Sequence, residues 1–185
     1  MSRVFQIVND DKFKKYLSEK NRLIYEIGVS SGLRISDVVK LRKNQIINTN
    51  RPTITQQKTK KKKRIYIGEK TYKNLLFFIA QDLSDNEFVF HAASEAEKHI
   101  SRQAVWKAFR RAAKKAGVIY PVGTHCMRKK YSAKKYAISG GDIAEVQHHL
   151  QHFKSSDTLA YILPPPTQKR SKKNANRRNG APQSS

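Results

Sequence analysis

Apolar residues recur at helical spacing across positions 12–29, at Phe13, Tyr16, Leu17, Leu23, Ile24 and Ile27, and predict helix there, divided into two pieces. Ser31-Gly32 breaks the pattern. Ser36 fits the N-cap of a short helix carrying Val38, Val39 and Leu41, with Asp37 in a first turn whose dipole favours an acid. The period then changes. Positions 52–57 and 64–67 are rich in Thr, Ile and Tyr and predict the strands of a β-hairpin whose turn is 58–63. Tyr72, Leu75, Leu76, Ile79 and Leu83 form a helical stripe over 69–83, and 88–90 reads as a short strand or extended link. From an N-cap at Ser101, Val105, Phe109, Ala112, Ala113 and Ala116 line another helix, which Gly117 ends. A further helix follows Thr124 and stops at Gly140-Gly141. Asp142 caps the next, with Ile143, Val146 and Leu150 on its buried side, and a last short helix contains Leu159, Tyr161 and Ile162. Pro164-Pro165-Pro166 forbids its continuation. The pattern predicts a mainly α chain with one small antiparallel hairpin, an α+β fold, forming one domain over 1–166. The tail, 167–185, has too few apolar residues to fold and is expected to be disordered.

Charge adds a partner to this picture. Of 185 residues, 38 are Lys or Arg and 14 are Asp or Glu, a formal net charge of +24. Such an excess opposes compaction unless a polyanion screens it, which points to nucleic acid. Six of the seven residues from Lys58 to Arg64 are basic, and the tail carries six more bases and no acid. At a hairpin tip, Lys60, Lys61, Lys62, Lys63 and Arg64 are placed to meet DNA phosphates. No apolar run reaches the ~18 residues of a membrane span, no basic amphipathic helix with an aromatic face suggests a membrane surface, and the N-terminus lacks the layout of a signal peptide. The one cysteine, Cys126, cannot form an intramolecular disulfide, which fits a reducing compartment. A soluble, cytoplasmic, DNA-associated protein is expected.

Chemistry gathers in the second half of the chain. His125 and Arg128, three apart on a helix, lie side by side where both can donate to one phosphate. Taken alone, such a pair is more often a plain surface contact. His125, His148, His149 and His152 fall close together, yet neither Cys-x-x-Cys nor His-Glu-x-x-His spacing suggests a metal site.

The order of motifs is more specific than any one of them. Ser-Gly-Leu-Arg-Ile-Ser-Asp-Val-Val-Lys-Leu (31–41), Lys58 in the hairpin turn, Thr-His-Cys-Met-Arg-Lys (124–129), Leu-Gln-His (150–152) and Tyr161 occur in one series. This series resembles the catalytic domain of the tyrosine recombinases, the phage integrase and Xer-like family, over roughly residues 10 to 163. The resemblance implies that Arg34 and Arg128 bind the non-bridging oxygens of a scissile phosphate, where forked, permanently charged donors suit the transition state. It implies that Lys58, with Lys60 close enough to substitute, protonates the departing 5′-oxygen. By the same likeness His125 aids proton transfer at the nucleophile, His152 supports the phosphate, and Tyr161 attacks to leave a 3′-phosphotyrosine. Neither a cofactor nor a metal is implied. The partner implied is double-stranded DNA, with a homotetramer on DNA, a monomer when free, and no membrane. The implied activity is site-specific recombination, integrating or excising a phage or other mobile element. A non-catalytic DNA-binding protein and a type IB topoisomerase remain the alternatives. The family's usual N-terminal core-binding domain is expected to be absent, and Gln151 stands where glycine is usual before the second His.

Overall fold

The computed structural model describes residues 10–92, 97–118, 122–152 and 154–162. The break expected within 12–29 falls at Ser18, whose hydroxyl accepts from the Asn21 N–H and caps α2 (Glu19–Ser31) after the short α1 (Asp10–Lys15). Gly32 closes α2 with φ +65°, and any side chain there would run into the Tyr131 ring. The next helix, α3 (Ile35–Val38), starts before Ser36 because Arg34 takes the extended N-cap conformation. Leu33 and Ile35 are both buried and pull the chain into the core on either side of Arg34. A further turn, α4 (Lys43–Ile46), was not expected: four residues with one buried side chain carry no periodic signal, and Gln45 closes it by accepting from the Arg42 N–H.

The turn of the hairpin covers 56–61, two residues earlier than the expected 58–63. Strands β1 (Thr53–Thr55) and β2 (Lys62–Arg64) pair antiparallel with Ile54 opposite Lys63. Part of the basic run is therefore strand. Because strand side chains alternate, Lys63 shares the inward face with Ile54 and is buried, whereas Lys61, Lys62 and Arg64 are exposed. Lys63 is thereby removed from the set of phosphate-facing residues.

Helix α5 (Glu69–Ala80) ends before Leu83, which is 96% exposed instead of completing the stripe. Residues 88–90 form no strand; one isolated bridge joins Arg42 to Phe88, and Val89 and Phe90 are buried. Ser101 caps α6 (Arg102–Lys115) by accepting from the Ala104 N–H, and Asp142 caps α8 (Ile143–Leu150) by accepting from Ala144 and Glu145. Between them runs α7 (Cys126–Ile138), and α9 (Ser155–Ile162) follows α8.

The main core surrounds α2, with Phe13, Tyr25 and Phe109 meeting edge to face at centroid distances of 5.2, 5.7 and 5.8 Å. A Cβ at Gly28 would strike Met127, so this glycine lets α7 approach α2 closely. A second, small cluster of Tyr131, Val146 and Leu150, with Tyr136 and Ile162 against it, seats α9 on α7 and α8. Among the described residues no helix is long and apolar enough to cross a membrane. The tail expected from residue 167 lies outside the described residues.

Candidate active site

An open cleft of about 590 Å³ is lined by Arg34, Lys58, His125, Arg128, His152 and Tyr161, residues drawn from five separate stretches of chain. Arg34 is held where α2 hands over to α3, Lys58 sits in the turn between β1 and β2, His125 and Arg128 open α7, His152 follows α8, and Tyr161 lies in α9. All six side chains singled out from the motif series thus converge. Among the basic run, Lys60 adopts a left-handed φ of 57° and, with Lys61, Lys62 and Arg64, remains exposed on the hairpin.

Arg128 anchors the floor. Only 1% of it is exposed, and its guanidinium donates to the carbonyls of Gly32 and Leu150, the latter at 2.7 Å, tying the end of α2 to the end of α8. It also lies 2.9 Å from His152 Nε2, while its Nε is buried with no hydrogen-bond partner among the described residues. Burial first, and then Arg34 nearby, lowers the Arg128 pKa to about 10, which still leaves it charged at neutral pH. Neither Arg34 nor Arg128 forms an ion pair with a described carboxylate within 4 Å. A buried cation without an acid to neutralise it, and with an unused donor, suits an anionic ligand.

His152 is placed by two contacts. With Arg128 donating to Nε2, the ring carries its proton on Nδ1 and can donate to Thr158 Oγ1 at 3.0 Å. Burial, then Arg128 and Arg34, pushes its pKa down to about 4, so the ring is neutral at physiological pH. Gln151 takes the left-handed φ of 51° that a glycine would adopt, and its side chain donates to the Lys62 carbonyl at 3.2 Å. Replacement of the usual glycine therefore leaves His152 in the cleft.

Tyr161 lies over Arg128, its ring centroid 5.7 Å from the guanidinium carbon, and its hydroxyl is 3.0 Å from His125 Nδ1. Burial, with Arg128, Lys129 and Arg34 nearby, lowers the His125 pKa and favours the neutral ring, which can accept the phenol proton through Nδ1.

Several residues at the site carried no signal in the motif series. Arg102, at the start of α6, adds another cation to the cleft wall. Thr158 is fully buried against His152. Lys63 donates to the Ser31 carbonyl at 3.0 Å and lies 5.5 Å from the Tyr131 ring centre, so it and Arg128 hold consecutive carbonyls in the turn that presents Arg34. Burial, then Arg128 and Arg34, lowers its pKa to about 7. Gln56 is also fully buried and accepts from Arg34. Strand alternation from Ile54 would have turned both Gln56 and, across the hairpin, Lys63 inward. His148 and His149 do not line the cleft; His149 leans on Glu145 at 3.5 Å and on the edge of Tyr131.

The pattern described as the phage integrase family matches residues 2–165. A probable integrase/recombinase of Bacillus subtilis, YoeC, is 35% identical over 152 residues, covering 80% of this chain and 82% of that protein. The tyrosine recombinase XerD of Mycobacterium tuberculosis is 26% identical over 155 residues, covering 80% of this chain but 49% of its own length. The chain thus spans about half the length of that relative. In fold it is similar to the XerA recombinase (TM-score 0.69, 20% identity, 84% of this chain and 59% of that one). A lambda integrase dimer bound to a core site has a TM-score of 0.64 at 19% identity, over 89% of this chain and 60% of that one.

Proposed function

Because the chain belongs to the phage integrase family of tyrosine recombinases, we propose that it cuts and rejoins double-stranded DNA at specific sites through a covalent bond to Tyr161, in the service of a phage or other mobile element. The observation that carries this reading is the meeting of Tyr161, His125 and Arg128 in one cleft that also takes in Arg34, Lys58 and His152. In the proposed step the Tyr161 phenol oxygen forms a bond to phosphorus and the bond from phosphorus to the 5′-oxygen breaks. The phenol proton passes to His125 Nδ1, and the leaving 5′-oxygen takes a proton from Lys58. The products are a 3′-phosphotyrosine and a free 5′-hydroxyl. One phosphodiester replaces another, so reversal with a new strand requires no outside energy source.

Arg34 and Arg128 supply the charge that balances the transition state, and His152, neutral and fixed by Arg128 and Thr158, holds the floor beneath the phosphate. Lys60, Lys61, Lys62 and Arg64 extend the positive surface toward flanking backbone, so affinity should fall steeply with salt. Exchange between two duplexes breaks four strands, and each chain brings one Tyr161; we therefore infer a homotetramer on DNA, from subunits that are monomers when free. The setting is DNA in the cytoplasm. The reading is tested with nicked suicide duplexes carrying a randomised core, in which the broken fragment diffuses away and traps the intermediate. A covalent protein–DNA adduct is expected; absence of an adduct across the library contradicts strand transfer and leaves simple DNA binding.

A further inference from the structure

Gln56 ends the β1 side of the hairpin with none of its side chain exposed, an unusual place for an uncharged amide unless it serves a neighbour. Its Oε1 accepts from Arg34 Nη1 at 2.8 Å and from the Thr59 hydroxyl at 3.2 Å. Thr59 follows Lys58. The Gln56 backbone closes the same turn from both sides, its N–H donating to the Lys61 carbonyl at 3.0 Å and its carbonyl accepting from Lys60 at 2.9 Å. A parallel tie joins the next residue to the same pair of segments, with the Gln57 N–H donating to Asp37 in α3 at 2.9 Å. One amide oxygen therefore bridges the cation assigned to the phosphate and the turn that carries the cation assigned to the leaving group.

We propose that Gln56 is a positioning residue that sets Arg34 and the Lys58 turn in mutual register and, being uncharged, does so without neutralising Arg34. This rests on the reading of the cleft given above and deepens it. A carboxylate at this position would grip the guanidinium more strongly, as a charge-assisted pair, while cancelling the charge the transition state requires. An apolar isostere would leave the charge but free both ends. The chemistry predicts that activity and stability are ordered differently among variants, which a purely structural glutamine would not produce.

The test compares wild type, Gln56→Met and Gln56→Glu on a duplex recovered from the wild-type adduct, measuring single-turnover cleavage, DNA affinity and melting temperature. A second substrate carries a bridging 5′-phosphorothiolate, whose sulfur leaves without being protonated and so bypasses Lys58. The expected cleavage order is Gln above Met above Glu, with Gln56→Met slowed about tenfold and Gln56→Glu about a hundredfold on the plain substrate. Melting temperature should instead place Glu at or above Met. The sulfur substrate should recover part of the Gln56→Met loss, the part due to Lys58, and little of the Gln56→Glu loss. Cleavage that merely follows melting temperature, or Gln56→Glu cleaving like wild type, overturns the proposal while the wild-type adduct still stands. If wild type forms no adduct on any duplex, the reading of the cleft itself fails, and this inference with it.

Discussion

Arg128 and Tyr161 face one another in the cleft, yet their supports differ in kind. Arg128 belongs to α7, which packs on α2 in the main core, and its guanidinium is fixed by two backbone carbonyls from distant parts of the chain. Tyr161 rides on an eight-residue helix seated on a cluster of three buried side chains, with Ile162 and Tyr136 at its margin. A helix that short does not persist alone in water. Its position depends on that cluster, on the link from Thr158 to His152 and on the contact between Tyr161 and His125. The proposed phosphate-binding floor is built into the main core, whereas the proposed nucleophile rides on a short helix held by a smaller cluster.

Replacing the two arginines should split this contrast most sharply. Arg128→Ala strands the Gly32 and Leu150 carbonyls, at about 1–3 kcal/mol each, and should abolish cleavage and lower the melting temperature together. Among the described residues Arg34 makes one side-chain hydrogen bond, so Arg34→Ala should slow cleavage about 10²–10³-fold while moving the melting temperature by no more than about 3 °C. Equal destabilisation by both would erase the distinction between floor and ligand group. A smaller effect is expected from Thr158→Val, which removes the link between α9 and His152. Amide exchange should quicken through α9 and stay unchanged in α2, and cleavage should fall several-fold; uniform exchange rates would mean that α9 is no weaker than the core.

The gentlest probe is pH. His152, with its pKa pushed down to about 4 by burial and by Arg128 and Arg34, binds a proton less readily in the folded chain than at its ordinary value of 6.5. The unfolded state holds more protons between those values, so stability rises with pH from about 4 to 6.5. Lys63, lowered to about 7 from 10.5, imposes the same sign of dependence between those limits, with its penalty on the fold complete below about pH 7. Melting curves should therefore climb from pH 4 to 6.5, less so in His152→Gln, and climb again from pH 7 to 9 except in Lys63→Met. If each variant keeps the wild-type slope, other groups govern the dependence.

Sequence pattern located the end of α2, both ends of α6 and the start of α8 because each rests on local chemistry: a serine or aspartate cap, a terminating glycine, an apolar stripe. It also named six of the residues that line the cleft, because their order along the chain is specific even though each alone is ordinary. What it misread was set by tertiary packing. Lys63 looks like one more basic residue in a solvated run, and only pairing with β1 turns it inward. Leu83 fits a helical stripe on paper, but the helix ends at Ala80 and leaves it in water. Gln56 and Thr158 are visible as site residues only once the segments bearing Arg34 and His152 have folded against them.

Strand transfer by this chain requires one bond above all, between phosphorus and the Tyr161 oxygen. The most direct measurement is peptide mapping, by mass spectrometry, of the adduct trapped on a suicide duplex, alongside Tyr161→Phe. The nucleotide should be found on the peptide containing Tyr161, and the phenylalanine variant should bind the same duplex and form no adduct. Attachment at another residue, or an undiminished adduct in Tyr161→Phe, would contradict the assignment.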